Sequence, residues 1–193
     1  MSDQPTHDWS RWDDVLLPQV LTPRARILID GRSGSGKSTL ATRLVELAAG
    51  AGVDVRCIRL DDIYPGWGGL AAAAQVVSDD LLRPLHERGR GTWQQHDWQN
   101  ARPGPIHVVE AEQAIVVEGI GALSRESAPF ATYRVVVTAD AEVRRQQALS
   151  RDGDLYRPHW DEWAAQEELF IAHHQPHTLA DLVIDTTAFR EHA

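Results

Sequence analysis

The sequence predicts an α/β fold, a mostly parallel five-stranded sheet covered by helices in a three-layer arrangement, and three observations carry that prediction. Short β-branched runs alternate with longer stretches of helical period. Glycine pairs break the helical stretches where the chain must return to a strand. The length, 193 residues at 42% hydrophobic content, supplies a core without a disulfide or structural metal, since folding at this size removes roughly 70% of the extended chain's surface from water.

The elements follow in order. Residues 26–30 (Arg-Ile-Leu-Ile-Asp) and 53–60 (Val-Asp-Val-Arg-Cys-Ile-Arg-Leu) read as strands flanking a helix that begins near Lys37 and stops at Gly50 and Gly52, which makes one βαβ unit. A helix is expected over about 70–88, from the alanine run to Gly89 and Gly91, then a third strand from Ala114 to Glu118 and a fourth from Tyr133 to Thr138. Asp140 is placed to cap a helix running through about Arg151. A further helix is expected from about His159 to His173, and Asp181 to Asp185 closes the pattern as a fifth strand. Before Pro23 stands Asp8-Trp9-Ser10-Arg11-Trp12-Asp13-Asp14, followed by Val15, Leu16, Leu17 and Val20. This reads as a helix docked on the sheet's edge, with Trp9 and Trp12 anchoring it by burying apolar area. The chain, 1–193, is expected to be one domain with residues 1–23 as an appendage.

Several classes are excluded. A net charge of -9, from 19 basic and 28 acidic residues, argues against a general nucleic-acid or anionic-membrane surface. No run approaches the ~20 apolar residues of a membrane span. The single cysteine, Cys57, cannot form an intrachain bridge, and without a signal-like apolar run behind a basic start the chain reads as cytoplasmic. Cys57 lies in an apolar strand and is expected to be a small core residue, as are Trp160 and Trp163 at i, i+3 on a helix. Pro176 interrupts the spacing of His173, His174 and His177, and no acid or cysteine completes a tetrahedral metal set there.

The strongest chemical signal is Gly31-Arg32-Ser33-Gly34-Ser35-Gly36-Lys37-Ser38-Thr39, which fits the Walker A spacing G-x-x-x-x-G-K-[ST] between a strand that ends at Asp30 and a helix that begins at Lys37. Glycines 31, 34 and 36 let the backbone curl so that successive N–H groups meet polyphosphate oxygens, and the following helix adds its positive end. Gly31, Ser33, Gly34, Ser35, Gly36, Lys37, Ser38 and Thr39 are therefore the candidate ATP-binding residues. Lys37 reaches the β- and γ-phosphates, Ser38 is the candidate Mg²⁺ ligand, and Thr39 lies on the α-phosphate side. The fold class sharpens to a P-loop NTPase fold.

At the carboxyl end of the second strand, where open α/β sheets place ligands, stands Asp61-Asp62-Ile63-Tyr64-Pro65-Gly66-Trp67-Gly68-Gly69. A carboxylate here either takes the proton from an attacking hydroxyl or sits in the outer shell of Mg²⁺, with Tyr64 and Trp67 as an aromatic wall. His96 and Asp97 are candidates for hydrogen bonding to a polyol or sugar, with Trp98 or Trp93 stacking on a ring; the alternative is a buried loop whose polar groups satisfy the backbone. Later, Arg144, Arg145, Arg151 and Arg157 surround an Arg/Gly/Asp-rich break at about 151–158 between two helices, the pattern of a phosphate-sensing lid.

On these residues the chain resembles the uridine kinase, phosphoribulokinase and pantothenate kinase group of P-loop small-molecule kinases. Asp61-Asp62-Ile63-Tyr64 is similar to the group's D-x-[FY]-Y, with isoleucine in the aromatic slot, His96-Asp97-Trp98 to its Y-D-F, and Glu118-Gly119-Ile120 to its E-G-I. The resemblance covers roughly residues 26–185. It implies that Asp61 is the general base on the acceptor hydroxyl, that Glu118 serves the Mg²⁺–phosphate centre, that Arg144 or Arg145 starts the lid, and that Arg151, counted with Lys37 and Asp61 as catalytic, and Arg157 follow. The group's F-D-H-P segment, whose aspartate holds the nucleoside ribose, is replaced by Trp67-Gly68-Gly69-Leu70. The expected activity is transfer of the ATP γ-phosphoryl to a hydroxyl of a small nucleoside- or sugar-like metabolite, with no nucleic-acid or membrane partner. Alternatives are a nucleoside monophosphate kinase of the cytidylate type, whose loop Ile29-Asp30-Gly31 also resembles, and a nucleotide-binding regulator; no N-K-x-D guanine signature is present.

Overall fold

The computed structural model describes residues 9–187, apart from the side chains at 152, 154 and 155; Asp8 of the N-terminal motif lies outside the described residues. A 3-10 turn (Trp9–Trp12) leads into α1 (Asp13–Val20), β1 (Arg26–Asp30), α2 (Lys37–Gly50) and β2 (Val55–Arg59). Then come α3 (Leu70–Gln75), a π-helical stretch (Val76–Leu82), α4 (Arg83–Arg88), β3 (Arg90–Asp97), β4 (Arg102–Glu110) and β5 (Ala114–Glu118). The chain continues through β6 (Tyr133–Thr138), α5 (Ala141–Tyr156), α6 (Trp160–His174), α7 (Pro176–Leu179) and β7 (Leu182–Asp185).

The sheet is parallel throughout, in the order β2-β5-β1-β6-β7, and its five strands are the five that the apolar runs predict. β5 is buried along its whole length, as a strand covered on both faces must be, and such strands read as continuous rather than alternating apolar runs. Because side chains alternate across a strand, Ile27 and Ile29 join one core while Leu28 joins the other. The first core includes Leu16 and Val20 of α1 and Leu40, Leu44 and Ala48 of α2; the second includes Leu70, Leu81, Leu85, Trp163 and Phe170 of the opposite helical layer.

Four differences from the sequence reading have physical causes. α1 packs over α2 and the face of the central strand instead of the sheet's edge, because Leu16 and Val20 are buried with Ile27 and Ile29 and Asp13 pairs with Arg43. The helix expected over 70–88 is continuous but widens to π geometry at Val76–Leu82 before ending at Gly89, whose φ is +76°. Asp140 occupies the N-cap position without a side-chain capping bond, and its helix runs past Arg151 to Tyr156, broken only at Gly153 (φ 55°, ψ -133°). Finally, residues 90–110 form an antiparallel hairpin with a register shift between Gln94 and His96, where a loop was one expectation. Pro103 and Pro105 hid β4, since proline withholds a ladder donor and is tolerated at a sheet's edge. No helix among the described residues is long and apolar enough to cross a membrane.

The hairpin enters under tight clearance, because a Cβ at Gly91 would sit on the Leu81 carbonyl oxygen. Gly91→Ala is expected to cost about 1–3 kcal/mol, as overpacking generally does, read as a lower urea midpoint at unchanged slope.

Candidate active site

The carboxyl ends of β1, β2 and β5 converge on the loop between β1 and α2, and each supplies an acid. Asp30 ends β1, Asp61 and Asp62 follow β2 in a short 3-10 turn, and Glu118 ends β5. The loop curls as the glycine spacing requires. Gly34 has φ +77° and lies so close to the Arg144 backbone that a Cβ would meet its carbonyl, which leaves room for no other residue. Gly36 (φ +96°) hands the chain to α2 and lies against the Trp9 ring, and Thr186 donates its hydroxyl to the Ser35 carbonyl at 3.0 Å. Ser33, Ser35 and Lys37 are buried in this turn, while Thr39 is exposed on the first turn of α2.

Glu118 is only 2% exposed, and burial pushes its carboxyl above the ordinary range, opposed first by the Lys37 ammonium. The negative charge of Asp61 pushes the same way as burial, whereas a hydrogen bond from the Ser38 hydroxyl and the Arg59 guanidinium, with Nε at 3.8 Å, favour the anion. Lys37, Ser38, Glu118 and Asp61 therefore share one electrostatic neighbourhood. Ser38 Oγ and the Glu118 carboxylate form an oxygen donor pair of the kind Mg²⁺ takes, with its remaining positions left to waters and phosphate oxygens. Among the described residues no group of three or more His, Cys, Asp or Glu is placed to hold a metal ion.

Asp30, at 1% exposure, accepts the Gly121 N–H at 3.0 Å and the Leu123 N–H at 2.8 Å. Burial raises its carboxyl from 3.8 to about 7 despite these bonds and the nearby Lys37. Tyr64 is buried and donates its hydroxyl to the Ile120 carbonyl at 2.7 Å, so it braces the acidic turn against the loop after β5 instead of facing a ligand. Burial, with Asp61, Asp30, Glu118 and Glu167 around it, holds its phenol protonated far above ordinary pH. Asp62 is also raised, by burial and by Asp61.

The hairpin brings the His96-Asp97-Trp98 segment to the acidic turn. The Trp98 indole N–H donates to the Asp61 carbonyl at 2.7 Å, and the His96 ring stands edge-on to Trp98 at 5.1 Å. Asp97 is turned to the hairpin's own needs, taking the Asn100 backbone and side-chain N–H groups at 3.1 and 2.8 Å and Arg102 at 3.4 Å. Trp67 completes an aromatic wall, stacked on His159 at 4.3 Å and Tyr156 at 5.5 Å and tilted against Trp98 at 5.2 Å. The loop after the Asp61 turn is thereby joined to the segment that leaves α5.

Of the four candidate lid arginines, Arg144 is buried, donating Nε to the Ala139 carbonyl at 3.1 Å and Nη1 to the Ser33 carbonyl at 3.4 Å. It braces the phosphate loop from behind. Arg145, Arg151 and Arg157 are exposed, the latter two on either side of the Gly153 break. Sequence reasoning missed Asp30, Arg32 and Glu167. The signal for Asp30 was a carboxylate ending an apolar strand directly before the glycine loop, and that for Glu167 an acid spaced with Trp163 and Phe170 on one helix face.

No family model matches the chain, and no curated protein matches it. Solved structures do. A possible uridine kinase from Bacillus stearothermophilus is similar at a TM-score of 0.65 and 21% identity, over 91% of this chain and 98% of that one. A candidate fructose transport system kinase from Silicibacter sp. TM1040 is similar at 0.60 and 17%, over 88% and 97%. The chain shares the fold of P-loop kinases, an α/β fold with the parallel sheet described above.

The raised Asp30 carboxyl fixes the sign of one pH dependence. Between 3.8 and about 7 the folded chain holds a proton that the unfolded chain has lost. The stabilising contribution is thus complete below this window and disappears as pH rises through it, with a slope of up to about 1.4 kcal/mol per pH unit. Asp30→Asn keeps an oxygen for the Gly121 and Leu123 N–H groups but cannot titrate; urea unfolding of both proteins across the window should show a flatter profile for the variant.

Proposed function

We propose that this chain is an ATP-dependent, Mg²⁺-requiring phosphotransferase that moves the γ-phosphoryl group of ATP to a hydroxyl of a small nucleoside- or sugar-like metabolite. The observation that carries this reading is the convergence of Lys37, the Ser38–Glu118 pair and Asp61 at one end of the parallel sheet. In it the loop N–H groups and Lys37 hold the β- and γ-phosphates, with Thr39 beside the α-phosphate. Ser38 and Glu118 would hold Mg²⁺, which would supply positive charge against the phosphate oxygens. Asp61, exposed at the mouth of the site, orients the acceptor hydroxyl and receives its proton as the acceptor oxygen bonds to the γ-phosphorus and the bond from that phosphorus to the β,γ-bridging oxygen breaks, releasing ADP.

Trp67, Trp98 and His96 form the wall against which the acceptor ring lies. Arg151, with Arg145 and Arg157, closes over the transferring group and excludes water. The reaction belongs in the cytoplasm, where ATP is abundant and the lone Cys57 stays reduced. The Asp61 turn favours a hydroxyl acceptor over a monophosphate, whose phosphate needs no carboxylate base.

The test is ADP formation from Mg·ATP against nucleosides, sugars, vitamin precursors and nucleoside monophosphates. Turnover is expected with an unphosphorylated acceptor; Asp61→Asn should lower it by about 10²-fold or more while still binding ATP, and Lys37→Ala should abolish it in a folded protein. Turnover with monophosphates alone would replace this reading by a nucleoside monophosphate kinase. Nucleotide binding without turnover on any acceptor would leave a regulator.

A further inference from the structure

Glu167 is 1% exposed in the apolar stripe of α6, between Trp163 and Phe170, and both of its oxygens are spent on the phosphate loop. Oε1 accepts the Ser33 N–H at 2.7 Å, and Oε2 accepts Arg32 Nε at 2.8 Å. Arg144 Nη1 stands 4.0 Å from Oε2 while donating to the Ser33 carbonyl. Ser33 is thus gripped at its N–H from α6 and at its C=O from α5, the helix that contains the Gly153 break.

Stability alone does not account for an acid here. A well-packed apolar residue generally serves a core as well as a buried ion pair does, and a negative charge beside a loop that binds polyphosphate opposes the ligand. What the carboxylate supplies is direction. It engages the Ser33 N–H and points Arg32 along α6, where Nη2 meets the Ala164 carbonyl at 3.4 Å.

We infer, resting on the phosphotransferase reading, that Glu167 is a positioning residue that sets the γ-phosphate end of the loop and ties it to the helices bounding the lid. With Thr39 on the α-phosphate side and Lys37 reaching β and γ, the residues before Gly36 line the end where the γ-phosphoryl group lies. Loss of the grip on Ser33 should therefore weaken ATP more than ADP. Simple removal of a negative charge does the opposite, since ATP carries the additional negative charge and gains more from it.

That difference in sign is the test. Isothermal titration with Mg·ATP and with Mg·ADP is run on the wild type and Glu167→Gln, with thermal melts of each. Glu167→Gln keeps the side-chain shape and is expected to lower the ATP-over-ADP preference about tenfold. A folded Glu167→Gln whose preference is unchanged or increased overturns the inference, however far its melting temperature falls. If that variant does not fold, Glu167→Asp decides in the same way, because it keeps the charge and is one methylene too short to serve both Ser33 and Arg32. A wild type that binds neither nucleotide overturns the phosphotransferase reading and this inference together; wild-type binding with an unmoved ratio overturns this inference alone.

Discussion

The two hydrogen bonds that Gly121 and Leu123 donate to the buried Asp30 carboxylate are the joint on which the rest of the site depends. They fasten the last residue of the central strand to the loop leaving β5. The first residue of the phosphate loop and the segment that follows Glu118 are thereby held in fixed relation. Lys37 and Glu118 start from those two ends; the pairing of Ile29 with Glu118 sets the strands side by side, and this joint holds the loops beyond them. Two more contacts extend it: Tyr64 ties the Asp61 turn to Ile120, and Thr186 ties the strand β7 exit to Ser35.

Such an arrangement concentrates negative charge. Asp30, Asp61, Glu118 and Glu167 all act on the Tyr64 phenol, and Lys37, Arg32, Arg144 and Arg59 are set among them. A crevice of acids would repel polyphosphate unless its cations faced the ligand and its acids were neutralised or engaged. Each acid meets this differently. Burial keeps Asp30 and Glu118 closer to their neutral forms, two arginines compensate Glu167, and Asp61 stays in contact with solvent.

The parts legible in the sequence were those whose physics is local. The five strands announced themselves because a fully buried parallel strand is a continuous apolar run, and the phosphate loop because its backbone conformation demands glycines at fixed spacing. Asp61 was singled out by its position at a strand end, and Glu118 by the resemblance of Glu118-Gly119-Ile120 to an E-G-I motif. The hairpin was hidden by Pro103 and Pro105, and the π-helical widening at Val76–Leu82 has no periodic signature. Glu167 lies 134 residues from its partner Ser33, and no local pattern reports a contact made only when α6 folds over the loop. Arg144 and Arg145, neighbours in sequence, could be told apart only by which helix face meets the loop.

The Trp9 ring rests against Gly36, at the point where the phosphate loop becomes a helix. A segment that looks like an appendage is therefore a wall of the loop's own enclosure. That ring leaves little space for a side chain at position 36, so the glycine there answers to the N-terminal turn as well as to its own φ of +96°.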